Sequence, residues 1–247
     1  MRTNMNDILK IQLAADYCCE MQHVADGENH FTVWQPLDGR RRFDENDDCA
    51  LKIAVVGGKL LFTGRSDIIE ECRIRFGNAT GEWFFETENL LTIEQLIRPY
   101  GYRISQAHPF FAAYEASPVP YHEFETVIYD RNGINAFRGD ERFSEAFAFQ
   151  PDAPDEIGIA AVYNGSIIGM AGASGDSPYM WQIGINVLPE ARGHGIAGTL
   201  VTMLKNCVLE RGKVAFYGTA MSHIESQRVA LASGFRPEWA ELVTKHI

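Results

Sequence analysis

Residues 188–198, LPEARGHGIAG, place three glycines at the spacing Gly193-x-Gly195-x-x-Gly198. Glycines so spaced let main-chain N–H groups close around a phosphate at the start of a helix, where the helix dipole adds positive character. The flanking residues decide which phosphate. In the dinucleotide fingerprint a strand runs almost directly into the first glycine, and an acidic residue about 20 positions on holds the ribose. Here Leu188-Pro189-Glu190-Ala191-Arg192 intervene after the expected strand, and 213–218 reads KVAFYG without a carboxylate. Only residues 199–247 remain, too few to complete a doubly wound sheet. A Walker loop ends in G-K-[ST], whereas Gly58-Lys59-Leu60 lacks the hydroxyl residue and lies in an expected hairpin.

What remains is an expected strand over 180–187, a spacer with Pro189, the run Arg192-Gly193-His194-Gly195-Ile196-Ala197, and a helix over 196–211. Ile196, Leu200, Met203, Leu204, Cys207 and Val208 share one face of that helix, and Gly212 ends it. The pattern V-x-P-x-x-R-G-x-G-I-A over 187–197 resembles the acetyl-CoA signature of the GCN5-related N-acetyltransferases, the GNAT family. Downstream, SQRVALASGF from Ser226 to Phe235 resembles the second signature of that family, and the element order after residue 121 is similar as well. The resemblance covers about half of the chain.

It implies an α/β (α+β) fold with a mixed, mainly antiparallel central sheet flanked by helices. It also implies acetyl-CoA as co-substrate, no metal, and direct attack by a primary amine in a ternary complex. Main-chain N–H groups at Ile185, Asn186 and Val187 would then polarise the thioester carbonyl. Arg192, Gly193, His194, Gly195, Ile196, Ala197 and Ser226 would hold the cofactor. The chain departs from the family where catalysis is concerned. The usual tyrosine of the last helix is Ala230, the usual asparagine at its start is His223, and the occasional carboxylate of the central strand falls at Trp181-Gln182. His223, with a pKa range near neutrality, and Tyr217 remain as candidate catalytic residues. Asp176, in Gly175-Asp176-Ser177-Pro178, reads as a turn residue. A non-catalytic acyl-CoA binding or sensing module is the rival reading, and a longer acyl donor stays open.

The elements that must position these residues begin after Ser117-Pro118-Val119-Pro120, where two prolines favour an extended connection. Residues 1–118 read as an N-terminal α/β domain of unknown role and 121–247 as the GNAT-like domain. In the first, helices are expected over 6–22, 66–75 (capped by Ser66) and 92–98 (capping box Thr92-x-x-Gln95). A hairpin is expected over 50–63 across Gly57-Gly58, and a strand over 102–114 interrupted at Pro109. Trp83, Phe84, Phe85, Phe110 and Phe111 read as core. In the second domain, strands are expected over 124–129, 157–163, 166–173 (turning at Asn164-Gly165), 214–219 and 239–244. Helices are expected over 142–149 and from a Ser222-x-x-Glu225 capping box to Gly234. Only residues 235–247 follow that glycine, room for one strand where the family has two. The missing neighbour is expected from 102–114, which would make the N-terminal part a degenerate half of the fold completing the acceptor cleft, or from a second subunit in a homodimer.

Composition narrows the classes. With 46% hydrophobic and 22% charged residues the chain can bury a sizeable core. Its net charge is −11, and the acidity is even: 12 Lys+Arg against 18 Asp+Glu in 1–120, and 10 against 15 thereafter. That argues against nucleic acid as partner and suits a cationic amine substrate. No stretch has the ~20 apolar residues of a membrane span, and no h-region opens the chain, so a soluble cytoplasmic protein is expected. Five cysteines without C-x-x-C spacing read as reduced, buried thiols with no zinc site.

Overall fold

The structure is a computed structural model and describes residues 5–41 and 49–247. The chain divides into two compact units. One comprises residues up to 110 with 219–222 and 237–247, the other 111–218 with 223–236.

In the first unit, helices α1 (Met5–Asp16) and α2 (Met21–Ala25) are followed by β1 (His30–Val33), β2 (Leu51–Val56) and β3 (Lys59–Gly64). Then come α3 (Ser66–Phe76), α4 (Thr87–Ile97) and β4 (Tyr102–Ala113), and the chain's last strand, β10 (Arg236–His246), returns to this unit. Its strand order is β1-β3-β2-β10-β4. β2 and β3 form the expected hairpin, β1 runs parallel to β3, and Trp239–Val243 pair antiparallel with Lys52–Val56. The core joins Ile53, Leu60 and Phe62 of the hairpin to Ile68, Ile69 and Cys72 of α3 and to Ile93 and Ile97 of α4.

Several local expectations are corrected here. The first helix breaks after Asp16, because Cys18 takes a left-handed φ of 51°. Arg65, not Ser66, is the N-cap of α3, and no side chain caps it. α4 starts at Thr87, so Thr92 lies mid-helix with its hydroxyl donating to the Glu88 carbonyl. β4 passes through Pro109 unbroken, and the Pro109 carbonyl accepts from Thr219 N–H. Trp83 is 72% exposed, outside the aromatic core that Phe84 enters. Of the thiols only Cys72 is fully buried; the other four are half-buried.

This unit buries a group of charges. Arg41 Nε donates to Asp16 (2.5 Å), and Arg41 Nη2 donates to Glu241 (2.7 Å). Lys52 Nζ lies 3.4 Å from the same Glu241 oxygen, to which Tyr17 donates at 3.0 Å. Burial alone would raise the Glu241 pKa, but the Arg41 and Lys52 charges outweigh it and hold the carboxyl below its usual range. Burial pushes Lys52 down to about 8 against the pull of Glu241. Two carboxylates depend on Arg41, so Arg41→Met should destabilise the protein by about 3–5 kcal/mol, read as a lower urea midpoint at unchanged slope.

The fully buried Cys72 and the half-buried Cys49 act on stability at alkaline pH. Burial pushes Cys72 and Cys49 up to about 12, against an unfolded value of 9.0. A folded pKa above the unfolded one gives stability that is present below pH 9 and lost as pH rises from 9 towards 12. Lys52, with its pKa lowered, acts in the opposite sense between about 8 and 10.5 and offsets about one of these protons. Stability should therefore fall above pH 9. Cys72→Ala should flatten the fall by about 1.4 kcal/mol per pH unit, measured by urea unfolding at pH 8, 9 and 10.

In the second unit, β5 (Glu125–Asp130), α5 (Arg131–Ile134), β6 (Asp155–Tyr163), β7 (Ser166–Ser174), β8 (Met180–Val187), α6 (Ile196–Glu210), β9 (Val214–Gly218) and α7 (Ile224–Ala232) follow in order. The strand order is β9-β8-β7-β6-β5, antiparallel except for the parallel β8–β9 pair. This is the mixed, mainly antiparallel sheet with flanking helices that was expected. The α6 face of the sheet carries Ile157, Ile159, Ala171, Ile183 and Ala215 against Leu200, Val201, Leu204 and Val208. The opposite face carries Ala160 and Met170 against Ile134, Phe137, Phe143 and Phe147. Asn164 and Gly165 turn the β6–β7 hairpin with φ of 49° and 76°, and Asp130 caps α5 by accepting from Gly133 N–H.

Two further expectations change. The helix expected over 142–149 is a single 3-10 turn, Glu141–Phe143, followed by irregular chain. The last helix starts at Ile224 with His223 as N-cap and no side-chain cap, so Ser222 does not close a capping box.

Candidate functional site

Strand β8 builds the site. Leu188 N–H donates to Ile168 of β7. Since main-chain groups alternate along a strand, Asn186 and Gly184 also turn theirs towards β7, while Ile183, Ile185 and Val187 turn theirs towards β9. The β8–β9 ladder joins Met180 to Val214, Trp181 to Ala215 and Gln182 to Phe216. Among the described residues it goes no further. The Ile185 and Val187 main-chain groups therefore line an open edge where two strands part. Of the three residues expected to offer N–H groups, the structure brings Ile185 and Val187 to this edge and turns Asn186 away.

After β8 the chain makes a 3-10 turn, Pro189–Ala191, and enters the glycine loop. Gly193 and Gly195 have φ of 82° and 74°, the left-handed region that glycine enters at no cost. A Cβ on either would meet nothing within 4 Å, so backbone conformation and not crowding requires these glycines. Gly195 is the N-cap of α6 and offers no side chain to its first turn, which holds no acidic residue. The N–H groups of Ile196, Ala197 and Gly198 have no intrahelical acceptor there by geometry, and Thr199 is the first to close a helical bond, to Gly195. Gly169 on β7 lets α6 approach, since a Cβ there would lie 3.0 Å from Ile196. Arg192 folds back, its Nε donating to Val187 O at 3.2 Å, and His194 is exposed.

The opposite face of the sheet bears a feature that single-residue reading missed. Gly158, Gly172 and Gly184 face one another across β6, β7 and β8. A Cβ on Gly184 would run into the Glu145 carbonyl, one on Gly172 into the Ala146 carbonyl, and one on Gly158 into the Phe147 ring. The three form a trough in which residues 145–147 cross the sheet. Asn186 Oδ1 fastens the crossing by accepting from both Glu145 and Ala146 N–H at 2.9 Å. Asp155 fastens the next residues by accepting from Ala148 and Phe149 N–H. The sequence signal was the alternation of glycines with aliphatic residues in three successive strands.

Tyr217 is the first residue of β9 past the end of the ladder. It is 3% exposed, and its hydroxyl shares a 2.9 Å hydrogen bond with Ser226 of α7. Ser226 thus spends its hydroxyl on Tyr217. Burial raises the Tyr217 pKa; the Ser226 hydrogen bond lowers it, and the Glu145 charge adds a further upward push. The phenol is a neutral donor at neutral pH, with the Glu145 carboxylate in its vicinity. His223 is exposed, and Ala230 is fully buried in the α6-side core. Asp176 is buried and accepts from the Ser174 hydroxyl at 2.6 Å in its turn.

A parted central strand, left-handed glycines and a helix N-terminus without acidic residues can together hold an extended, phosphorylated ligand by main-chain donors. Comparison with known families agrees with this geometry: the acetyltransferase (GNAT) family model matches residues 122–235. Residues 122–235 are a GNAT acetyltransferase domain. Solved structures similar to this chain include a GCN5-related N-acetyltransferase from Kribbella flavida (16% identity, 62% of each chain covered, TM-score 0.46). A GCN5-related N-acetyltransferase-like protein from Streptococcus suis (14%, 85% of this chain and 89% of that one, 0.49) and a GNAT-family acetyltransferase from Colwellia psychrerythraea (13%, 100% and 97%, 0.45) are also similar. The chain spans less than two thirds of the Kribbella protein's length. A search of curated proteins gave no match. Among the described residues of the GNAT domain and the rest of the chain, no helix is long and apolar enough to cross a membrane, and no group of three or more His, Cys, Asp or Glu could hold a metal ion.

Asn186→Ala leaves two main-chain N–H groups of the crossing without their acceptor and should cost about 1–3 kcal/mol. Asn186→Asp, whose carboxylate also accepts, should keep most of that stability. Urea unfolding of the two variants beside the parent protein is the check.

Proposed function

We propose that this protein transfers an acetyl group from acetyl-CoA to a primary amine by direct attack in a ternary complex. The observation that carries the reading is the parting of β8 from β9 directly ahead of the glycine loop. Ile185 and Val187 N–H groups would take the thioester and pantetheine portion along the open edge. The main-chain N–H groups of the loop from Arg192 to Ala197 would take the pyrophosphate, aided by the α6 dipole. The folded-back Arg192 guanidinium and the exposed His194 contribute less than the loop backbone they belong to. Tyr217, a neutral phenol beside the fork, is the group best placed to donate a proton or hydrogen bond to the departing sulfur. His223, exposed at the start of α7, has a weaker claim.

The second reading, a non-catalytic acyl-CoA binding module, draws on buried Ala230, which offers no acid where the family resemblance places a tyrosine. Turnover on an amine panel separates the two readings: acetyl-CoA binding without transfer to any amine would favour the second.

Acetyl-CoA at 100 times its Kd should stabilise the protein by about 2.7 kcal/mol, whereas NAD and ATP should leave its melting temperature unchanged. Gly195→Val forces a β-branched residue into φ of 74° at about 1–2 kcal/mol and should weaken acetyl-CoA binding about tenfold or more. No shift with acetyl-CoA, or an unchanged affinity in the variant, would overturn the loop assignment.

A further inference from the structure

The transferase reading leaves open what receives the amine's proton, since neither His223 nor Trp181-Gln182 supplies a placed base. The crossing segment on the face opposite α6 brings a carboxylate-bearing residue to the fork. Its first residue is Glu145, whose N–H is held by Asn186 and whose carbonyl lies against Gly184. Gly184 is the second residue of β8 past the end of the β9 ladder. The Glu145 main chain is therefore fixed at the fork itself, while its side chain is exposed. Tyr217 approaches the same fork from the α6 face. Tyr217 and the Glu145 main chain thus lie at the fork on opposite faces of the sheet.

We propose that Glu145 is the acceptor-side carboxylate of this site: it pairs with the ammonium form of the incoming amine, takes its proton, and so selects amines that are cationic at neutral pH. The assignment rests on the transferase reading above. In the step, the ammonium gives one proton to the Glu145 carboxylate. The freed nitrogen lone pair forms the C–N bond to the acetyl carbon, and the C–S bond breaks with its electron pair on sulfur. The second proton lost by nitrogen goes to that thiolate, and Glu145 returns its own to water. Asn186 is then a positioning residue that acts through Glu145, which accounts for an asparagine whose N–H is turned from the open edge.

The test is Glu145→Gln in the full-length protein. It compares kcat/KM for alkylamines, protonated at pH 7, with arylamines of similar size, uncharged at pH 7, alongside the acetyl-CoA Kd. The expected result is a loss of at least about 100-fold on alkylamines, less than about tenfold on arylamines, and an acetyl-CoA Kd within about twofold of the parent. Alkylamine turnover within about threefold of the parent would overturn the assignment. So would an equal fall on both amine series together with weakened acetyl-CoA binding, which would mark Glu145 as structural. A parent protein that binds acetyl-CoA but acetylates no amine would instead overturn the transferase reading, and this assignment with it.

Discussion

The end of the β8–β9 ladder at Gln182 and Phe216 is the constraint on which the second unit is built. A strand in mid-sheet normally spends every main-chain group on its two neighbours. β8 keeps β7 along its length but loses β9 after three pairs, so the main-chain groups of Ile185 and the N–H of Val187 face the parted edge, while the Val187 carbonyl accepts from Arg192. That is costly unless something else holds the strand in place. Its α6 face is held by packing, with Ile183, Ile185 and Val187 against the α6 core. Its other face is held by the glycine trough and the Asn186 clamp, which lay residues 145–147 directly on the strand. Both faces of the fork are occupied, and among the described residues the β9 ladder does not continue along its edge.

The same arrangement divides labour between the two faces. The glycine loop and α6 lie on one, and the 145–147 crossing on the other. Odd-numbered residues of β8 serve the first and even-numbered residues the second. One eight-residue strand thus fixes the position of the glycine loop, of the crossing and of the open edge between them. A register slip by one residue would turn Gly184 and Asn186 into the α6 core and the isoleucines into the trough. The glycine and aliphatic alternation of Gln182-Ile183-Gly184-Ile185-Asn186-Val187 leaves only one register that packs.

The strands of this unit, its glycine loop and α6 were legible because their signals are local. Alternation marks β6 to β8, Asn164-Gly165 marks the hairpin, and the apolar face of α6 together with Gly193 and Gly195 marks the loop. What the sequence hid is non-local. The expected helix over 142–149 failed because Phe143 and Phe147 bury themselves through an irregular path that the distant trough and Asn186 dictate. Ser222-x-x-Glu225 and Thr92-x-x-Gln95 match a capping pattern, but tertiary packing placed the helix ends elsewhere. Nor could a single sequence show that Glu241, Asp16 and Arg41 meet in one buried group, since Arg41 and Glu241 lie 200 positions apart.

The net charge of −11 does not set the local field at the glycine loop. The diffuse field of that charge repels phosphates, but it is screened over about 8 Å at physiological salt, whereas the α6 N-terminus acts at contact distance. What matters is the local sign, and the first turn of α6 contains no acidic residue. α3, which also follows a strand directly, has Asp67 in its first turn, and that carboxylate accepts from Ile68 N–H and pairs with Arg65. Its N-terminus is already neutralised from within. Two strand-to-helix junctions of similar outline therefore differ in what they can attract, and the difference lies in one carboxylate and two left-handed glycines. The diffuse field of the net charge and the local field at the α6 N-terminus thus have opposite signs, and each acts over its own range.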